Sequence, residues 1–128
     1  LDVMTAYLMG RSHVGMRCDD ALRWLRHLQS GALTGGAPAG IELIATGEAT
    51  IPALHAAALR PAAFRRIELR RMIPSWESLV GAGETFDQAV NIVHGALRHY
   101  DLPDLARFIA AEKITFAEPV DGLGRAAP

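Results

Sequence analysis

The chain has 128 residues, half of them hydrophobic, and its 13 basic and 14 acidic residues give a net charge of -1. This size and composition predict one compact globular domain over residues 1–128. Nearly balanced charge without a basic run argues against a nucleic-acid partner. No apolar stretch reaches the roughly 20 residues of a membrane span, which argues against a membrane partner. We therefore expect a soluble domain, with a cytoplasmic location favoured.

The single cysteine and the two chain ends carry further expectations. Cys18 cannot form an internal disulfide or a Cys-x-x-Cys metal pair, so the fold is expected to rest on burial alone, as in a reducing compartment. The chain begins at Leu1 rather than at a methionine. The stretch from Pro119 to Pro128 is typical of a loop that follows a strand. These ends suggest a fragment of a larger domain.

The first third of the chain predicts a helix between two less regular segments. Residues 2–9 are mostly apolar and favour a short helix or strand that ends at Gly10. Apolar residues at helical spacing predict a helix over 16–30, which Gly31 ends. Residues 31–40 are rich in Gly, Ala and Pro and indicate a loop.

Residues 41–70 predict a strand-helix-strand unit. Residues 41–46 are apolar and rich in strand formers, and Gly47 follows them at a tight turn. Thr50 is a suitable N-cap for the next helix, which Pro61 ends. The alternation over 66–70 then indicates a second strand. Such a unit implies a parallel sheet.

The last third of the chain predicts three helices and one strand. Ser75 can cap a short helix, Thr85 begins a capping box for a helix to about His99, and Asp101 begins another. Residues 113–117 read as a third strand. We therefore expect an α/β fold with a partial parallel sheet of about three strands flanked by helices. Missing strands would come from an upstream half of the polypeptide or from a second subunit.

Three stretches together resemble the C-terminal half of an α/β-hydrolase, in its acetyl-xylan-esterase-like and glucuronoyl-esterase-like branch. The first is the strand, turn and helix over 41–60. The second is LMGRSHVGMRCDDALRWL at 8–25, similar to the loop and helix before the nucleophile strand. The third is GALRHYDLPDLA at 95–106, similar to the helix pair before the next strand. The likeness covers nearly all of the chain and implies esterase ancestry and a small ester substrate.

This resemblance places Gly47 where the family has its nucleophilic serine. Ala45 and Ala49 replace the two flanking glycines. Glycine has no side chain that could attack a carbonyl, so the usual acyl-enzyme chemistry cannot start here. Asp121 lies where the family often has its triad acid, and Glu48 is a candidate acid or base. The chain ends before the strand that would precede a triad histidine, so we expect an incomplete triad.

An unconventional site is the alternative. Ser12 lies in Gly-Arg-Ser-His-Val-Gly, which resembles a nucleophile motif with one residue too many. Ser12 or Glu48 could act with His94 or His99, completed across a dimer interface. The structural alternatives are a loop serine, a solvated Glu48 and an ordinary Asp-Gly turn at residue 121.

No cofactor and no metal are expected. The glycines do not form a dinucleotide-binding motif or a P-loop, and His-x-x-x-His spacing does not occur. Three functions remain open. The chain could be a non-catalytic α/β-hydrolase-like domain, an active small-ester hydrolase with an unconventional or subunit-shared site, or an interaction module that forms a homo-oligomer through its open sheet edges.

Overall fold

A computed structural model describes residues 2–127, and Leu1 and Pro128 lie outside the described residues. Five helices and a three-stranded parallel sheet make up the regular structure of this range, which confirms the predicted α/β class. In chain order they are α1 (Asp2–Leu8), α2 (His13–Gln29), β1 (Glu42–Thr46), α3 (Thr50–Leu59), β2 (Arg66–Arg70), α4 (Trp76–Gly81), α5 (Leu102–Ala106) and β3 (Ile114–Ala117).

The strands lie in the order β1-β2-β3, and both pairs are parallel. Side chains alternate between the two faces of a strand. The register aligns Leu43 with Ile67, and Ile67 with Ile114, on one face. Ile67 and Leu69 of the central strand are fully buried there. We call this the covered face of the sheet.

Helix α3 is the centre of the covered side. It contacts β1 and β2, and α2 and α5 pack against it. Seven of its ten residues are buried, as expected for a helix that is apolar nearly all round. Ile51 and Leu54 are fully buried, and burying each such side chain stabilises the fold by about 1.5–3 kcal/mol.

The opposite face, which we call the bare face, carries polar and exposed side chains. Ile44 on β1 is 54% exposed. On β2, Glu68 lies between Arg66 and Arg70 and accepts a hydrogen bond of 2.6 Å from each, so that its own side chain is buried. The hydrogen bond from Arg70, supported by both positive charges, lowers the pKa of Glu68 below its ordinary 4.5. Arginine side chains cover Glu68 in place of a helix.

Helix α2 begins three residues before the predicted start. The Oγ atom of Ser12 accepts a hydrogen bond of 2.9 Å from the Gly15 N–H, so Ser12 is the N-cap. The predicted cap at Thr50 is wrong, because α3 has Ala49 as its N-cap. The Thr50 hydroxyl instead donates a 2.6 Å hydrogen bond to the Gly47 carbonyl and closes the turn after β1.

The predicted helix over 85–99 is wrong. This segment contains two single 3₁₀ turns, Ala89–Asn91 and Ala96–Arg98, separated by irregular chain. Gly95 has a left-handed φ of 75°, and the indole N–H of Trp76 donates to the Asn91 carbonyl, which an α-helix would have used internally. The β-branched residues before Gly95 also favour extended backbone. Tertiary contacts therefore overrode the capping signal.

Candidate functional site

Each strand of the sheet is followed directly by a residue with left-handed backbone. Gly47, Arg71 and Glu118 follow β1, β2 and β3 with φ values of 62°, 56° and 51°. For a residue with a side chain this conformation costs roughly 1–2 kcal/mol. The carboxyl ends of parallel strands meet at one edge, where open α/β sheets bind their ligands. We call this edge the carboxyl edge, and it is the first candidate location for a functional site.

A cleft of about 210 Å³ opens at the carboxyl edge. Its lining residues come from all three strand exits or from the segments near them: Gly47, Glu48, Thr50, Arg71, Ile73, Phe86, Asp87, Gln88, Asn91, Val120, Leu123 and Gly124. The cleft is smaller than the roughly 300–1,000 Å³ of typical small-molecule sites. Its one cationic group, the Arg71 guanidinium, donates a 3.0 Å hydrogen bond to the Gly124 carbonyl. The cleft is thus small and partly closed by its own side chains.

The turn at Gly47 has space but no reacting group. A Cβ atom added at Gly47 would have no other atom within 4 Å, apart from its immediate chain neighbours. The left-handed φ and the hydrogen bond from Thr50 hold the turn in a fixed shape. A nucleophile would fit here sterically, but glycine provides none.

The two carboxylates predicted near this turn make structural contacts. Glu48 is exposed and forms an ion pair of 3.1 Å with Arg17 on α2. The Asp121 carboxylate accepts hydrogen bonds of 2.9 Å from the N–H groups of Leu123 and Arg125, which organises the turn after Val120. Neither carboxylate has a histidine partner within residues 2–127.

All five histidines lie in the described range, and none lines the carboxyl-edge cleft. His55 on α3 is half-buried, and both of its ring nitrogens have hydrogen-bond partners. Its Nδ1 atom lies 2.8 Å from the Ile51 carbonyl and its Nε2 atom 2.9 Å from the Tyr100 hydroxyl. A carbonyl only accepts, so Nδ1 carries the proton and Nε2 accepts from Tyr100. Desolvation lowers the pKa of His55 below its ordinary 6.5, although the Ile51 carbonyl opposes this.

Asn91 is a cleft residue that the sequence did not point to, because the segment was predicted as helix. It is 7% exposed, and its Nδ2 donates to Gln88. Its Oδ1 atom is buried and has no hydrogen-bond partner in the described chain. A buried acceptor left in this state costs stability. Arg71, by contrast, could have been identified as a cleft residue from the sequence, because it directly follows β2 as Gly47 directly follows β1.

Ser12 and His94 both line a second cavity, which we call the α1–α2 groove. This groove of about 660 Å³ lies between α1, the start of α2 and the segment that ends at His94. Its lining residues are Val3, Met4, Tyr7, Gly10, Arg11, Ser12, His13, Ala89, Ile92, Val93 and His94. The His94 ring contacts the Tyr7 ring edge-on, with centroids 5.2 Å apart. His99 is exposed and lies in neither cavity.

The predicted site residues therefore separate into two places. Gly47 and Glu48 line the carboxyl-edge cleft, with Asp121 in the turn beside it, whereas Ser12 and His94 line the α1–α2 groove. In the part of the chain that the structure describes, no three His, Cys, Asp or Glu side chains lie close enough to bind a metal ion. None of the helices in this range is long and apolar enough to cross a membrane.

Comparison with protein-family models, with curated proteins and with solved structures found no match for this chain.

Proposed function

We propose that the chain is a non-catalytic α/β-hydrolase-like domain of esterase lineage. One observation carries the proposal: the turn after β1 keeps a left-handed residue, open space and a following helix, yet it presents glycine where a nucleophile would stand. The cleft around the turn has no histidine, and the nearby carboxylate of Asp121 is bonded to backbone N–H groups. Among residues 2–127, no histidine base and no serine or cysteine nucleophile lines this cleft.

Hydrolysis of p-nitrophenyl acetate tests this proposal. Free imidazole cleaves this ester slowly, so the reference is buffer that contains five molar equivalents of imidazole, one for each histidine of the chain. We expect the folded protein to hydrolyse the ester no faster than this reference. A rate at least 100-fold above the reference, abolished by one substitution that leaves the fold intact, would overturn the proposal.

A rival enzymatic function has one observation in its favour, because Ser12 and His94 line the same groove within one chain. The Ser12 oxygen accepts from Gly15, and among residues 2–127 its hydroxyl has no acceptor. A fluorophosphonate probe separates the two functions. Under our proposal neither the wild type nor Ser12→Ala is labelled. Labelling of the wild type that disappears in Ser12→Ala would establish a serine hydrolase with an unconventional site.

A role as an interaction module is the second candidate, and the bare face favours it. Parallel sheets are normally covered on both faces, whereas here Ile44 is exposed beside the Arg66-Glu68-Arg70 row. A row with both charges is self-complementary under two-fold symmetry, because an arginine of one copy can face a glutamate of the other. This candidate is therefore a homo-oligomer formed through the bare face.

Sedimentation velocity over a range of protein concentrations tests the oligomer. If the bare face is the interface, wild-type protein associates and Ile44→Asp sediments as a monomer. Leu59→Asp is the matched control, because Leu59 is similarly exposed but lies at the end of α3 on the opposite side of the sheet. A wild type that stays monomeric up to about 100 µM, a concentration that saturates a micromolar interface, would exclude this candidate.

A further inference from the structure

The α1–α2 groove is the larger of the two cavities discussed above. Its volume of about 660 Å³ lies within the roughly 300–1,000 Å³ that small-molecule sites occupy. Three pieces of chain build it: α1, the connection from Gly10 to His13, and residues 89–94. A hydrogen bond of 2.9 Å from the Arg11 N–H to the Ala6 carbonyl holds α1 to the connection that follows it.

Much of the groove lining is apolar. The apolar lining residues are Val3 and Met4 of α1 and Ala89, Ile92 and Val93 of the third piece, and we call this set the apolar wall. Met4 and Ile92 are both more than half exposed, so they have apolar surface left to bury. A ligand with a hydrocarbon part would remove this surface from water, which is favourable in proportion to the area buried.

The remaining side chains of the lining are polar, and none of them is a carboxylate. They belong to Tyr7, Arg11, Ser12, His13 and His94, and we call this set the polar wall. Arg11 contacts Asp19 at 3.5 Å with both side chains exposed, which leaves most of its five N–H donors available. Within residues 2–127 the Tyr7, Ser12 and His13 side chains donate no hydrogen bond to the protein. Asp19 engages Arg11 from outside the groove lining, and the donors that remain suit an anionic acceptor group.

We propose that the α1–α2 groove binds a small amphiphilic carboxylate, with its carboxylate at Arg11 and His13 and its hydrocarbon chain along Met4, Ile92 and Val93. The bound group is held and not transformed. The inference does not depend on whether the carboxyl edge is catalytically silent. It needs only the shape, the apolar wall and the donor set of this groove.

Sodium octanoate, below its micellar concentration, is the probe, and binding is followed by amide chemical shifts of the whole chain. We expect saturable shifts concentrated at residues 10–14 and 92–95. Each methylene buried should tighten binding about fourfold, so hexanoate binds about 15-fold more weakly than octanoate by the same principle. Octanol has the same chain without the charge and should bind at least tenfold more weakly.

Two matched arginine variants test the polar wall. Arg11→Gln should weaken octanoate binding about tenfold, as the loss of a charged hydrogen bond does. Arg23→Gln is the control, because Arg23 also belongs to a 3.5 Å ion pair with an aspartate but does not line the groove. It should bind octanoate like the wild type. Equal weakening in both variants would show general charge attraction and overturn the proposal.

A third variant tests the apolar wall. Ile92→Ser keeps the backbone and removes exposed hydrocarbon, so it should reduce the difference between octanoate and hexanoate while the protein stays folded. The proposal is overturned if octanol binds as tightly as octanoate. It is also overturned if the shifts spread over the bare face or the carboxyl edge instead of the groove.

Discussion

The two faces of the sheet have nearly the same backbone but very different surroundings. On the covered face, Ile67 and Leu69 are fully buried under α3. On the bare face, Ile44 is exposed, and its neighbour Glu68 is shielded only by arginine side chains. Both faces belong to the same three strands, and they differ in what packs against them. The stability of the chain should come from the covered face, and the bare face is available for contacts with other molecules.

The largest expected difference is between truncations on the two faces. Leu69→Ala should lower the free energy of unfolding by about 2–5 kcal/mol, because it leaves a cavity under α3. Ile44→Ala should change it by less than about 0.5 kcal/mol, as surface substitutions usually do. Urea unfolding of both variants measures this. A large loss for Ile44→Ala would mean that something covers this face in solution.

The loop that leads from α2 to β1 is the next test, because it holds α2 on the covered side. Gly31 has a left-handed φ of 73°, and a Cβ atom there would lie 2.6 Å from the backbone of Gly36. Gly31→Ala should therefore cost more than the roughly 1–2 kcal/mol of left-handed backbone alone. Gly35→Ala is the control, since its φ is 72° but its Cβ would meet nothing within 4 Å. Equal losses by thermal unfolding would contradict the backbone contact.

The covered side should also respond to pH through His55. Because burial lowers its pKa in the folded protein, the unfolded chain binds the proton first as the pH falls below 6.5. Stability from neutral His55 is complete above pH 6.5 and decreases as the pH approaches the lowered pKa. Urea unfolding at pH 7.5, 6.5 and 5.5 should show this loss in the wild type and a smaller one in His55→Gln. Identical pH profiles would refute the role of His55.

The smallest effect is expected on the bare face, at Glu68. The hydrogen bond from Arg70 lowers the pKa of Glu68, so its contribution is present above pH 4.5 and is lost as the pH falls through the lowered value. Glu68→Gln should shift the urea midpoint slightly at pH 7, and the gap to the wild type should narrow as the pH falls below 4.5 towards the lowered pKa of Glu68. Glu42→Gln, which removes the partner of one arginine only, should shift it less. The absence of any difference between Glu68→Gln and the wild type at pH 7 would argue against the ion pairs.

The sequence predicted the elements whose signals are local. The unit over 41–70 was predicted nearly to the residue, and Ser75 and Asp101 cap their helices as expected. Capping oxygens, prolines and strict alternation act over a few residues, so they can be recognised without the fold. Trp24 shows the limit of such patterns. It is one of the apolar residues at helical spacing that predicted the helix over 16–30, and yet it is 63% exposed.

The candidate sites were predictable only in part. The tight turn at Gly47 was predicted from the local sequence, and Gly47 has the left-handed φ of such a turn. Its likeness to a nucleophile position rests on the family resemblance and stays a prediction. The sequence paired Ser12 with His94 only across a dimer interface. That both residues line one groove within the chain did not follow, because it depends on an irregular segment that was predicted as a helix. Asn91 was not predicted as a cleft residue for the same reason. Contacts between distant parts of the chain decide such sites, and hydrophobic periodicity carries no information about them.

The space beside Gly47 has a practical consequence for experiments on this molecule. The Cβ atom of a cysteine placed there would meet no atom within 4 Å beyond its chain neighbours, although the left-handed backbone would cost roughly 1–2 kcal/mol. The native Cys18 is buried, and its pKa is raised by desolvation and by the charge of Asp19. The thiolate is the reactive form, so Gly47→Cys should react with a maleimide dye much faster than Cys18 does. The carboxyl edge thus offers an attachment point for a spectroscopic reporter with the native cysteine left in place.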